Sequence, residues 1–323
     1  MLVEALTLAV EAIAKINPLI PYYHVVSDEI LPHVRHLYHY KSVNQFLKDI
    51  EYLGRKFHPI DLSDLLDFVY KGKKIKERSL FMTFDDGYSE CATIIAPILY
   101  RKGIPAAFFV CPNLIDNKTM YFKNKSSLIV DYVRQKDEKD LHMLQPYNKM
   151  SLKEYITMVL NTDYKHRHIL DDIAKDVGVD WSYYLKTRQP YLTTQQIIEM
   201  KKMGFYFGGH GLDHANFSEL NIGEQIYQAR NSINFIKTSF NINYSIFAFP
   251  FSDRNIPLEF FMRMKSYVDI SFGTTGTQID KINWNLERIN FERSMKPASE
   301  IYLRKLLKRE LNLFRGKGTI ERS

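Results

Sequence analysis

Thr83-Phe84-Asp85-Asp86-Gly87-Tyr88 sets two adjacent carboxylates at the end of an apolar run, Leu80 to Phe84, with a glycine directly after them. Side chains along a strand alternate between faces, so neighbouring Asp residues converge on one site only where the strand ends and the chain turns. Gly87 permits such a turn because glycine tolerates positive φ. The pair offers one carboxylate to a metal and leaves the other free as a base. A second segment, His210-Gly211-Leu212-Asp213-His214, supplies two imidazoles four residues apart, a spacing that puts both on one side of a helical turn. One carboxylate and two imidazoles form a three-ligand set with an open position, the pattern of hydrolytic zinc. Each segment alone has a plainer reading: Asp-Asp-Gly as a solvated turn, His-x-x-x-His as surface or core. Their conjunction in one chain, each just after an apolar run, favours a metal site.

Short apolar runs alternate with helical patterns around these segments. Leu19 to Val26, Phe57 to Ile60, Leu80 to Phe84, Pro105 to Cys111, Phe205 to Phe207, Ile246 to Phe249 and Val268 to Phe272 read as strands. Ser42 with Gln45, Thr193 with Gln196 and Asn221 with Glu224 have the spacing that opens helices, the first of them closed by Gly54. Leu62 to Tyr70, Ser89 to Arg101 and Leu258 to Met264 are further helices. This alternation predicts a parallel barrel or an open α/β sheet. Asp85, Asp86, His210 and Phe251 each fall just after a strand-like run, where barrels gather their chemistry. Between about 113 and 189 the rhythm breaks. That polar stretch, weakly helical over 152–160 and 168–177, predicts a helical insertion over the top of the domain. Near the end, Leu303, Leu307, Leu311 and Phe314 stripe a basic helix, which either docks on the barrel or rests on an anionic membrane surface.

The 323 residues, 45% hydrophobic and 25% charged, describe a globular chain with room for one large α/β domain. Tyr and Phe, 21 of each, fill cores first and also line sugar clefts. A net charge of +7 hints at an anionic partner, but no basic run with interleaved aromatics suggests a nucleic-acid groove. The two cysteines, Cys91 and Cys111, sit in apolar surroundings and read as buried thiols of a reducing compartment. The first residues form an amphipathic helix interrupted by Glu4 and Glu11, unlike a secretory signal, and no apolar run is long enough to span a bilayer. These features predict a cytoplasmic protein.

Thr83 to Gly87 and His210-x-x-x-His214 resemble the first two motifs of the polysaccharide deacetylase family, the NodB-homology or carbohydrate esterase family 4 domain. The resemblance covers roughly residues 18–112 and 192–292. It implies an α/β fold, a distorted (β/α) barrel of about seven strands. On this reading 1–323 is a single catalytic domain, with the helical insertion at 113–189 and the basic C-terminal helix at 298–323. It further implies a metal-dependent hydrolase that removes N-acetyl groups from a sugar or glycan, in cell-surface polysaccharide biosynthesis. Asp86, His210 and His214 would hold one divalent ion, Zn2+ or else Co2+ or Ni2+, and Asp85 would be the base. Two alternatives stand beside this reading. One is hydrolysis of another C–N bond, such as a formamide on a lipid-linked sugar. The other is a catalytically inactive carbohydrate-binding protein of the same fold.

An amine leaving group must gain a proton, and histidine is the natural donor near neutral pH. Many members of the family place that histidine in a late motif, whereas this chain has none after His214. His24, following Tyr22-Tyr23, is the remaining candidate, similar to the branch of the family with an N-terminal Tyr-His pair; its plainer reading is a strand cap. His33, His36 and His39 read as surface residues of a loop. In the third motif Ala248 stands where the family has Arg, while Pro250 and Phe251 match. Leu286-Glu287-Arg288-Ile289 resembles a Leu-Pro-Arg-Ile segment of the same branch, so Arg288 either replaces the missing Arg or is a surface residue on an edge strand. Tyr88, Pro250, Phe251 and Arg288 are expected to bind or orient substrate.

Overall fold

Eight short strands, every neighbouring pair parallel, make one sheet. They are β1 (Pro21–Tyr23), β2 (Met82–Phe84), β3 (Ala106–Val110), β4 (Tyr206–Gly209), β5 (Ile246–Ala248), β6 (Ile270–Gly273), β7 (Asn285–Glu287) and β8 (Ile289–Asn290). The computed structural model describes residues 10–11, 15–136 and 150–322. The sheet order is β7-β6-β5-β4-β3-β2-β1-β8. Its two edge strands are therefore consecutive in sequence, with Arg288 between them. β7 pairs with β6, and β8 pairs with β1. One run, 285–290, thus closes the ring, and the architecture is a (β/α) barrel of seven strand positions, as expected.

Period-two alternation decides what enters the barrel. In β3, Ala106, Phe108 and Val110 pack outward against the helices, while Ala107 and Phe109 join the inner cluster. Ile20, Phe81, Ile246, Ala248, Ile270 and Phe272 belong to that inner cluster. Phe272 lies 6.2 Å from Phe81 and 5.2 Å from Phe109 between ring centroids. The same parity carries His24 inward with Ile20 and Tyr22, and Asp85 inward with Phe81 and Thr83. The site is built on this aromatic floor.

The three capping boxes form as read, opening Val43–Lys56, Thr194–Lys202 and Ile222–Phe240. Gly54 does not close the first: the helix runs on to Lys56 and ends at Phe57, whose N–H reaches Leu53. A glycine ends a helix when it turns left-handed, as Gly72 does after Leu62–Lys71. Phe57 to Ile60 gives only His58–Pro59, paired with Ser79–Leu80 in a separate two-stranded sheet. Ser89 to Arg101 contains a π turn, Cys91–Ile95, before Ala96–Arg101. Pro97, which lacks an N–H, sits in the first turn of the helix that follows.

The insertion contains four α-helices among the described residues: Phe122–Val133, Leu152–Asn161, Ile169–Val177 and Trp181–Arg188. They share a second core that includes Ile129, Val159 and Ile173. Tyr88 and Tyr191 stack at 5.9 Å beneath it, and Asn124 Nδ2 donates to the Tyr88 hydroxyl at 2.9 Å. The last helix, Ala298–Phe314, packs on Val43–Lys56 through Ile301, Tyr302 and Leu306. Of the expected stripe only Leu303 is buried; Leu307, Leu311 and Phe314 are exposed. Among the described residues no helix is long and apolar enough to cross a membrane. The N-terminal helix expected over 1–15 lies outside the described residues apart from Val10, Glu11 and Lys15.

Candidate active site

Asp85 and Asp86 leave β2 in different directions because the backbone reverses between them. Asp86 (φ 68) and Gly87 (φ 69) are both left-handed, and Gly87 N–H closes on Asp85 O at 2.9 Å. A Cβ on Gly87 would also come within 2.9 Å of Val110. His210 follows β4, its N–H bound to Val110 O. The segment to His214 is a loop and not the helical turn that the four-residue spacing suggested. Gly211 (φ 73) and His214 (φ 60) turn left-handed and swing the second imidazole back toward the first. Gln228 pins this loop, accepting from Leu212 N–H at 2.6 Å and donating to Asp213 at 2.9 Å. Asp86, His214 and Phe251 (φ 58) are non-glycine residues held at positive φ, a costly conformation that tends to gather at functional sites.

Asp86, His210 and His214 are buried, with ligand atoms all within 4.8 Å of one another. His210 Nε2 and His214 Nε2 lie 3.4 and 2.9 Å from Asp86 Oδ1. His210 Nδ1 lies 2.8 Å from Ala248 O, so Nδ1 carries the proton and Nε2 offers its lone pair. Burial would raise the Asp86 carboxyl, but His214 and then His24 hold it well below the usual range. Asp86 Oδ1 is buried with no hydrogen-bond partner. An orphaned anionic oxygen facing two imidazole nitrogens fits a divalent cation with N/O preference.

Asp85 is held from the closing run of the barrel, one strand away across β1. Arg288 Nη1 and Nη2 donate to its two oxygens at 2.6 and 2.8 Å, and Nε reaches Gly273 O. The guanidinium is fully buried, 4.8 Å above the Tyr22 ring and 5.4 Å above Phe109. Arg288 is therefore no surface residue; it reaches from the closing strand to the carboxylate that Ala248 cannot serve. Burial would raise Asp85, but Arg288 and then His210 hold it below the usual carboxylate range.

His24 lines the same cavity, with 15% of its side chain still exposed. Its Nδ1 lies 2.5 Å from Glu292 Oε2, which leaves Nε2 for a substrate. Glu292 is buried and also accepts from His24 N–H at 3.1 Å and Val25 N–H at 2.9 Å. Burial alone would lower His24; Glu292, followed by Asp86, outweighs it and raises the imidazole to about 9. No sequence motif flagged Glu292. Its only signal is an acid two residues after the closing strand.

The cavity, about 370 Å3, is lined by Asp85, Asp86, His24, His210 and His214 together with Tyr22, Tyr121 and Phe251. Leu160, Asn161 and Lys123 reach it from the insertion. Pro250 is buried beside the Gly211 loop and Phe251 sits 5.0 Å from the His214 ring. Tyr88 is a correction: it is wholly buried under the insertion and does not line the cavity. His33 is another. It is buried against Tyr184, 2.9 Å from its hydroxyl, and burial with Arg188 lowers it to about 3. His36 lines the cavity and lies 3.1 Å from Asp131, while His39 is exposed as expected. Cys91 and Cys111 are buried free thiols.

Residues 72–259, more than half of the chain, match the family described as polysaccharide deacetylase. No curated protein matches the chain. Among solved structures it is similar to the Streptococcus pyogenes deacetylase PplD in complex with acetate, at 14% identity and a TM-score of 0.58, covering 90% of this chain and 99% of that one. It is similar to IcaB from Ammonifex degensii at 14% identity and a TM-score of 0.54, with coverage of 89% and 96%. It is also similar to a de-N-acetylase from Aggregatibacter actinomycetemcomitans at 14% identity and a TM-score of 0.53, with coverage of 88% and 98%. These likenesses establish the fold. The matched span holds Asp85, Asp86, His210 and His214, whereas His24, Arg288 and Glu292 lie outside it.

Proposed function

The chain belongs to the polysaccharide deacetylase family, and on that premise we propose that it hydrolyses the N-acetyl group of a sugar or glycan with the help of a divalent cation. The observation that carries this reading is the meeting, in one cavity, of a restrained carboxylate, a carboxylate–imidazole ligand set and a carboxylate-oriented histidine.

Asp86, His210 and His214 would hold the cation, most naturally zinc, which when bound supplies Lewis-acid polarisation. Asp85, ionised and held by both arms of Arg288, takes the proton of the attacking water. Its lowered basicity is the consequence of that grip, and orientation is what the grip supplies in return. His24 Nε2 then gives a proton to the sugar nitrogen as the C–N bond breaks, so water and amide become amine and acetate. Glu292 keeps that imidazole charged and fixes its rotation. Tyr22, Tyr121 and Phe251 line the cavity and give it aromatic surface against which a sugar can lie. In this reading the product serves cell-surface polysaccharide biosynthesis.

The test is acetate release from N-acetylated glycans by protein supplied with zinc, cobalt or nickel. Wild type should turn over, and Asp86→Ala or His214→Ala should lose both metal and activity. Protein that takes up no divalent ion, or that binds one and releases no acetate, would sink the reading. Formate release in its place would support the formamide alternative.

A further inference from the structure

Tyr22, Thr274 and Arg293 line the catalytic cavity and also a second groove beside it, of about 500 Å3. Six cations line that groove: Arg254, Arg293, Lys296, Arg304, Lys305 and Lys308. No Asp or Glu is among its described lining residues. Glu300 is shared by Lys296 and Arg304, and Arg254 donates to Gln278. Arg293, Lys305 and Lys308 make no ion pair among the described residues. Lys305 Nζ would lie 3.9 Å from a Cβ on Gly276, close over the floor of the groove. Burial lowers its pKa and the neighbouring Lys308 lowers it further, the mark of like charges held together without a counter-ion.

Asn290 Oδ1 accepts from Glu292 N–H and Arg293 N–H at 3.1 and 2.7 Å, which fixes the amide. Its Nδ2 faces the Tyr22 phenol oxygen, at the seam between the groove and the catalytic cavity. A groove lined by six cations and, among its described residues, no carboxylate selects an anion. A uronate would bring one charge per sugar, whereas this density of cations suits the two or more charges of a compact phosphate or diphosphate.

We propose that the groove binds the phosphate of a phosphorylated N-acetyl sugar whose acetamido end lies in the catalytic cavity. The proposal names the substrate class for de-N-acetylation and rests on that reading. The phosphate can belong to a nucleotide diphosphate or to a prenyl diphosphate, because the recognising chemistry is shared.

Calorimetric titration of the full chain at low salt with N-acetylglucosamine 1-phosphate tests the groove without requiring turnover. Its affinity should exceed that of N-acetylglucosamine and of glucuronic acid by about tenfold or more. The advantage should fade with added potassium chloride. It should vanish in the Lys305→Gln, Lys308→Gln double variant and survive in Lys305→Arg, Lys308→Arg. Equal affinity for the phosphorylated and neutral sugars, or an advantage untouched by the Gln variant, overturns the proposal. Acetate release separates this failure from that of the activity. Wild type active on neutral N-acetyl oligosaccharides but blind to the phosphate loses the groove alone. Wild type that binds the phosphate and releases no acetate loses the activity alone. Nucleotide-linked and prenyl-linked N-acetylglucosamine diphosphates, assayed in parallel, identify the source by which KM rises in the Gln variant; a rise in neither counts against the groove.

Discussion

Arg288 and Asp85 are 203 positions apart in sequence, yet both carboxylate oxygens of the aspartate lie on the guanidinium, at 2.6 and 2.8 Å. The closing strand of the barrel thus delivers its cation to the second strand. The pair is wholly enclosed, which makes its geometry rigid and its disruption costly. It also explains how the chain tolerates Ala248: the place beside His210 supplies only a backbone carbonyl there.

Arg288→Met should therefore lose turnover and stability together. An uncompensated buried carboxylate costs about 3 to 5 kcal/mol, which should show as a clear drop in thermal midpoint. Arg288→Lys should keep part of the stability but not the two-point hold, because an ammonium cannot match both oxygens. Combining Arg288→Met with Asp85→Asn should recover the midpoint and leave the protein inactive. A single Met variant with normal melting and normal acetate release would show that the pair does not serve Asp85.

Glu292→Gln tests the origin of the charge on His24. With the imidazole raised to about 9, the acid form persists through neutrality and acetate release should fall only as pH approaches that value. Removing the Glu292 charge should shift this alkaline limb toward lower pH with metal content unchanged. The linkage has the same sign. A folded-state value above the ordinary 6.5 gives stability that is complete below 6.5 and is lost as pH rises through about 9. His24→Ala should lower turnover by about 10² to 10⁴ with metal retained, and by less on an activated aryl ester whose leaving group needs no proton. An alkaline limb that stays in place in Glu292→Gln would detach it from His24.

Much of this was legible because strands buried on both faces are written as apolar runs. Leu80 to Phe84 and Pro105 to Cys111 announce β2 and β3, and the residues just past such runs, Asp85, Asp86 and His210, stand at the barrel mouth. The seventh strand position was not legible. Asn285-Leu-Glu-Arg-Ile-Asn290 is no apolar run: Asn285 and Arg288 are buried on opposite faces of the sheet, against partners that only the folded chain supplies. Glu292 is hidden for the same reason: its partner lies 268 positions away. Phe122–Val133 was missed because it is buried nearly all round and so shows no stripe. The left-handed turn at His214 defeated a helical reading of the spacing, although the convergence it suggested was real.

His33 gives an acid-side prediction independent of catalysis. Burial, with Arg188 nearby, depresses it to about 3. The unfolded chain takes up its proton near 6.5, so the stability tied to neutral His33 is present above 6.5 and is lost as pH falls toward 3. Replacing His33 by Phe should flatten that loss, measured by denaturant unfolding at pH 7, 5 and 4. The same slope in wild type and variant would place the acid sensitivity in other groups.

Lys123 links the insertion to the cavity. Its ammonium donates to Leu160 O at 2.7 Å and Thr162 O at 2.8 Å, holding the C-terminal end of Leu152–Asn161, and both Lys123 and Leu160 line the site. A cation on the last carbonyls of a helix satisfies groups that the helix cannot satisfy itself. Lys123→Met should free that end and widen access from above. The cavity floor is built by other elements, so metal content and turnover of a short N-acetylated substrate should hold. KM for long glycans should instead fall several-fold, because Lys123, Leu160 and Asn161 bring the insertion to the cavity, where it would obstruct a longer chain. Unchanged kinetics across a ladder of glycan lengths would mean that this end of the insertion covers the barrel without selecting what enters it.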